Sequence, residues 1–94
     1  MAKAPKKMSN YLREKRLICG LTQTELSRTL GYKTSQFVSN WENGRSSPPL
    51  AAMAQLIKVL KLPQNEVIEI ILAETKEELT TRLNSGSARV ARHK

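Results

Sequence analysis

The sequence predicts an all-α domain of five helices, on three observations. Apolar residues recur at spacings of three and four from Leu12 to Leu72, and no segment keeps a two-residue alternation for long. Gly20, Gly31, Asn43-Gly44, Pro48-Pro49 and Leu62-Pro63 cut that pattern into five lengths. The chain of 94 residues holds one modest core and is too short for two.

The elements follow in order. Ser9 or Asn10 caps a first helix through "YLREKRLIC", with Leu12 and Leu17 inward, and Gly20 supplies the left-handed residue that often follows a helix end. Thr22 and Glu25 have the spacing of a capping box, in which each side chain accepts from the other residue's backbone N–H. The second helix carries Leu26 and Leu30 inward and ends at Gly31. Thr34 caps a third helix that ends at Asn43-Gly44, with Val38 and Trp41 turned to the core. Ser46 or Ser47 and then Pro48-Pro49 suit the first turn of a fourth helix, whose inward residues are Leu50, Met53, Leu56, Ile57 and Leu60. Beyond Leu62-Pro63 a fifth helix carries Val67, Ile68, Ile70, Ile71 and Leu72 over an arc of about 200°. That is wider than one core contact needs.

From Lys76 the apolar density falls, although Leu79 and Leu83 extend the fifth helix by two turns. Residues 1–8 read as a flexible basic arm and 9–75 as the folded domain. Residues 76–94 read as a helix extension ending in the basic, disordered tail "NSGSARVARHK".

Charge narrows the partners. Sixteen Lys and Arg against eight Glu, with no Asp, leave a net charge of +8, a field that attracts polyanions. Residues 1–45 carry nine bases and three acids, whereas residues 46–75 carry two and three. The front half therefore faces the anion. A single Cys19 and a single His93 rule out an internal disulfide and a Cys/His zinc cluster. No cofactor or metal is expected, and no phosphate loop, nucleophile elbow or carboxylate pair beside a His supports an enzyme. No apolar run reaches the ~20 residues of a membrane span, and "MAKAPKKMSN" lacks a signal's apolar stretch, so a cytoplasmic protein is expected.

The third helix poses the functional question. "KTSQFVSNWENG" packs small hydroxyls and amides where an ordinary solvated face would carry Lys and Glu. The block resembles the Cro and lambda-repressor-like, or XRE, helix-turn-helix family over residues 12–62. The resemblance rests on Gly20-Leu21-Thr22-Gln23, on Leu26 with Gly31, on Val38-Ser39-x-Trp41-Glu42-Asn43-Gly44, and on Pro48 ahead of an amphipathic helix. Ten residues separate Gly31 from Glu42, one more than the commonest family spacing, so Tyr32-Lys33 lengthens the turn before the third helix.

The resemblance implies a DNA-binding domain whose second helix crosses the phosphate backbone and whose third lies in the major groove. Ser35, Gln36, Ser39 and Asn40 then become the base contacts, because Gln or Asn can pair bidentately with adenine and the two serines permit close approach. Ser39 alternatively faces a phosphate or supports packing. Gln23, Lys33, Thr34, Asn43, Arg45 and Ser46 become the phosphate contacts, Gln23 together with backbone N–H groups at the start of the second helix. Phe37 either covers the domain edge or touches a thymine methyl, and Tyr32 and Lys33 either reach the backbone or form a solvated loop. By resemblance, Arg16 pairs with Glu42 and ties the first helix to the third.

One such helix reads too few base pairs to address a genome, and the family usually acts as dimers on palindromes. Val67, Ile68, Ile71 and Leu72 are the expected homodimer interface. Lys3, Lys6, Lys7, Arg89, Arg92 and Lys94 serve either as arms along the DNA or as solubilising charge. The expected function is a dimeric, nucleoid-associated repressor reading a palindromic operator in double-stranded DNA, with no effector domain. The alternative is an adaptor or antitoxin-type regulator whose fifth helix and tail bind a partner protein.

Overall fold

The computed structural model describes residues 7–92, and side chains for residues 7–85. Among them are five α-helices and no strand: α1 (Met8–Ile18), α2 (Gln23–Thr29), α3 (Gln36–Glu42), α4 (Leu50–Leu60) and α5 (Gln64–Arg92). α1 packs on α3 and α5, and α2 packs on α3. One core unites them through Met8, Tyr11, Leu12, Leu26, Leu30, Val38, Trp41, Ala52, Met53, Leu56, Leu60, Leu62, Val67 and Ile70.

α1 starts at Met8, ahead of the expected cap at Ser9 or Asn10, and Lys7 at its cap position makes no side-chain cap bond. The Met8 N–H instead donates to Glu74 Oε2 of α5 at 2.8 Å. A carboxylate from another helix thus does the capping, and α1 can begin early enough to bury Met8. The inward face of α1 is Met8, Tyr11, Leu12 and Arg16, while Leu17 is 57% exposed. At 100° per residue Leu17 stands about 140° round from Leu12, so the helix phase that buries Tyr11 expels it.

α2 opens on the expected capping box: Thr22 Oγ1 accepts from the Glu25 N–H at 3.0 Å, and Glu25 Oε1 from the Thr22 N–H at 2.9 Å. Gly31, with φ 92°, turns the chain out of α2 in a conformation that side chains rarely adopt. In α4 the two prolines precede the helix instead of lying in its first turn. Pro49 is extended at the cap position with φ −65° and ψ 159°. Leu50 is then the first helical residue. Because helical side chains lean toward the N-terminus, it projects past the packed part of α4 and is 77% exposed, while Ala52 takes an inward place.

α5 is one continuous helix of 29 residues, about 43 Å long at 1.5 Å per residue. It extends through residues 84–92, where a loose tail was expected. From Thr75 to Ser85 every side chain is exposed, so this half of the helix makes no part of the core. The expected arms at Lys3, Lys6 and Lys94, and the side chains of Arg89 and Arg92, lie outside the described residues.

Candidate nucleic-acid interface

α3 is held from behind. Val38, Trp41 and Glu42 are its buried residues, and Asn43 with Gly44 at φ 75° ends it. Ser35 occupies the cap position expected of Thr34 and makes no side-chain cap bond, while Thr34 Oγ1 accepts from the Gln36 N–H at 3.3 Å. The helix therefore begins one residue later than Thr34 capping implies, as the longer turn allows.

The anchor between α1 and α3 is a buried, bidentate ion pair. Arg16 Nε donates to Glu42 Oε2 at 2.6 Å and Arg16 Nη2 to Glu42 Oε1 at 2.9 Å, while Nη1 donates to the Leu21 carbonyl at 2.7 Å. The side chains are 9% and 3% exposed. Hydrogen bonding to Glu42 raises the Arg16 pKa further above its already high value, against the opposing effect of burial. Every charge is matched, which is the condition under which such a pair is tolerated in a core.

Gln23 joins this network: its Nε2 donates to Glu42 Oε1 at 3.0 Å. One of its two amide hydrogens is therefore engaged inward, and the capping box already uses the Thr22 and Glu25 N–H groups. Of the groups expected at a phosphate, the second amide hydrogen and the backbone N–H groups of Gln23 and Thr24 remain.

The opposite face of α3 is polar. Gln36 is exposed and Ser39 and Asn40 are half-buried, as is Ser35 just before the helix. Gln36 and Asn40 stand about 160–200° from Val38, directly away from the core. Gln36 Nε2 donates to Asn40 Oδ1 at 2.9 Å, an i,i+4 bond that leaves Gln36 Oε1 as an acceptor and Asn40 Nδ2 as a donor. Adenine offers the complementary N6 donor and N7 acceptor in the major groove. Asn43 Nδ2 donates to Ser39 Oγ at 3.3 Å, and this pair continues the polar strip. Exposed Lys33 and Thr34 lie at one end of α3, and exposed Asn43, Arg45 and Ser46 at the other.

A ring cluster flanks this face. Tyr32 and Phe37 have centroids 4.7 Å apart with planes tilted by 34°, and Tyr32 meets the Trp41 ring edge-on at 5.9 Å. The Tyr32 N–H donates to the Ser27 carbonyl at 2.9 Å and fixes the long turn to α2. Tyr32 is thus a packed residue and not part of a solvated loop. Phe37 remains 51% exposed.

The residues expected at a dimer interface divide. Val67 is 1% exposed and lies with Ile70 in the chain's own core, so it cannot serve a partner. Ile71 is half-buried against the same core. Ile68 and Leu72 are 45% and 62% exposed, and Leu79 and Leu83, outside the expected set, are 52% and 66% exposed. Those four fall within an arc of about 60°, about 160° from the direction of Val67 and Ile70. Periodicity reveals such a stripe, but choosing between it and the core stripe requires the packing of α1.

Among the described residues no group of His, Cys or Glu could hold a metal ion, and no helix is long and apolar enough to cross a membrane. No curated protein and no solved structure matches the chain. The helix-turn-helix family model matches residues 12–65, from the middle of α1 to the start of α5, spanning every element that positions α3. The chain belongs to the Cro and lambda-repressor-like (XRE-type) helix-turn-helix family of DNA-binding regulators.

Proposed function

We propose that this regulator is a sequence-specific repressor that binds a palindromic operator as a homodimer, with α3 in the major groove. The observation that carries the reading is the outward strip of Gln36, Ser39 and Asn40, next to Ser35, on a helix locked from behind by Val38, Trp41 and the Arg16–Glu42 pair. A rigid helix offering unpaired amide donors and acceptors is what recognition of base edges requires. Lys33, Thr34, Arg45 and Ser46, with Asn43 and the remaining amide hydrogen of Gln23, contact phosphates on either side of it.

Dimerisation is supported by the α5 stripe of Ile68, Leu72, Leu79 and Leu83, which has no cover in the monomer. An isolated helical length is marginal in water, so the exposed half of α5 gains stability by burying that stripe against a second α5. The same stripe is the observation that favours a second reading, an adaptor or antitoxin-type regulator docking a different protein there.

Selection from random double-stranded DNA tests the proposal. Inverted half-sites with centres about 34 Å apart are expected, with protection weakened in Gln36→Ala and Asn40→Ala. Enrichment of no sequence, or a single asymmetric site bound by a monomer, would overturn it.

A further inference from the structure

We propose that Phe37 is a specificity residue that reads the C5 methyl group of a thymine beside the base read by Gln36 and Asn40. The proposal rests on the reading of α3 as the base-contacting helix. Phe37 is the second residue of α3, in the N-terminal part of the helix that such domains present to base edges. It stands about 100° round from Val38 and about 60° from Asn40, at the border between core and polar strip.

Its exposure is organised. One side of the ring is braced by Tyr32 at 4.7 Å, and Trp41 lies 6.5 Å away, so 51% of the residue is held outward in a fixed place. The brace comes from the lengthened turn: Tyr32 lies directly after Gly31, and its N–H is tied to the Ser27 carbonyl at 2.9 Å. A surface phenylalanine supported in this way is prepaid in conformational entropy and lacks only an apolar contact. In the major groove the apolar feature that distinguishes one unmodified base from another is the thymine methyl group.

The test uses the full chain and its selected operator, with each thymine replaced in turn by deoxyuridine, which lacks the methyl but keeps the O4 acceptor. For the unsubstituted protein, one position per half-site is expected to weaken binding about fourfold on loss of the methyl. Phe37→Ala is expected to bind thymine and deoxyuridine operators alike at that position. Phe37→Gln, which removes the ring but keeps a long side chain, gives the same comparison should alanine loosen the Tyr32 stack. Gln36→Ala is expected to retain the methyl effect while losing its own base preference. An unchanged thymine-to-deoxyuridine ratio in both Phe37 variants overturns the proposal, as does an unsubstituted protein insensitive to every methyl. If Gln36→Ala and Asn40→Ala also leave sequence preference intact, the base-contact role of α3 fails with it. If those two relax preference while the methyl ratio ignores Phe37, the failure belongs to Phe37 alone.

Discussion

Replacing Arg16 with methionine removes three hydrogen bonds and leaves the Glu42 carboxylate, 3% exposed, with one neutral partner in Gln23. Breaking a buried pair in this way costs roughly 3–5 kcal/mol, because the surviving charge has lost its solvent and its counter-charge. A domain of this size has on the order of 5–15 kcal/mol in all, and each kcal/mol moves the midpoint by roughly 4–8 °C. Arg16→Met is therefore expected to lower the melting temperature by at least about 12 °C in a thermal scan followed by circular dichroism at 222 nm. The double variant Arg16→Met/Glu42→Leu, which leaves no buried charge, is expected to recover most of that loss. A shift below about 4 °C for Arg16→Met, or a double variant worse than the single, would refute the assignment of the pair as the clamp between α1 and α3. Since Gln23 shares the Glu42 carboxylate, the clamp also ties the start of α2 to α3.

Three other outcomes follow from particular groups. Ser27 is 1% exposed and its hydroxyl has no hydrogen-bond partner, so Ser27→Ala is expected to stabilise the fold by roughly 1 kcal/mol in urea titration, and loss of stability would count against the packing described. Burial, and then a hydrogen bond to Glu66 Oε1 at 2.8 Å, hold the Tyr11 phenol well above its ordinary pKa of 10.0. The unfolded phenol ionises near 10, so the stability that the neutral folded phenol contributes is complete below that pH and lost above it. Comparison of melting temperatures between pH 8 and 11 should therefore show a shallower alkaline fall in Tyr11→Phe than in the unsubstituted protein, and parallel curves would contradict this. In the proposed homodimer Leu72→Glu places a charge in the α5 stripe of both copies and is expected to weaken association by at least about 3 kcal/mol, read as a shift to monomer in equilibrium sedimentation. An unshifted dimer would place the interface elsewhere.

The features that could be read from the sequence are those fixed by local chemistry. The Thr22–Glu25 capping box, the turns at Gly31 and Gly44, and the inward placing of Val38 and Trp41 each depend on residues within one or two helical turns. What escaped depends on contacts distant in sequence. Glu74 caps α1 from 66 residues away, which moved the helix start and brought in Tyr11 and Arg16 in place of Leu17. Val67 lies in the chain's own core, so an interface chosen by hydrophobicity alone includes a core residue, while Leu79 and Leu83 complete the outward stripe. The polar strip on α3 was legible because its composition departs from that of a solvated face. The Gln36–Asn40 and Asn43–Ser39 pairing within it was not, since spacing alone permits those bonds without requiring them.

Readout by α3 is tested most directly by the affinities of Gln36→Ala and Asn40→Ala for the selected operator and for operators carrying single base changes, at fixed salt. Direct readout predicts that each variant loses about 5- to 150-fold on the operator, corresponding to 1–3 kcal/mol, and becomes indifferent to the base at one position per half-site. Variants that bind as tightly as the unsubstituted protein, with the same base preferences at every position, would contradict it.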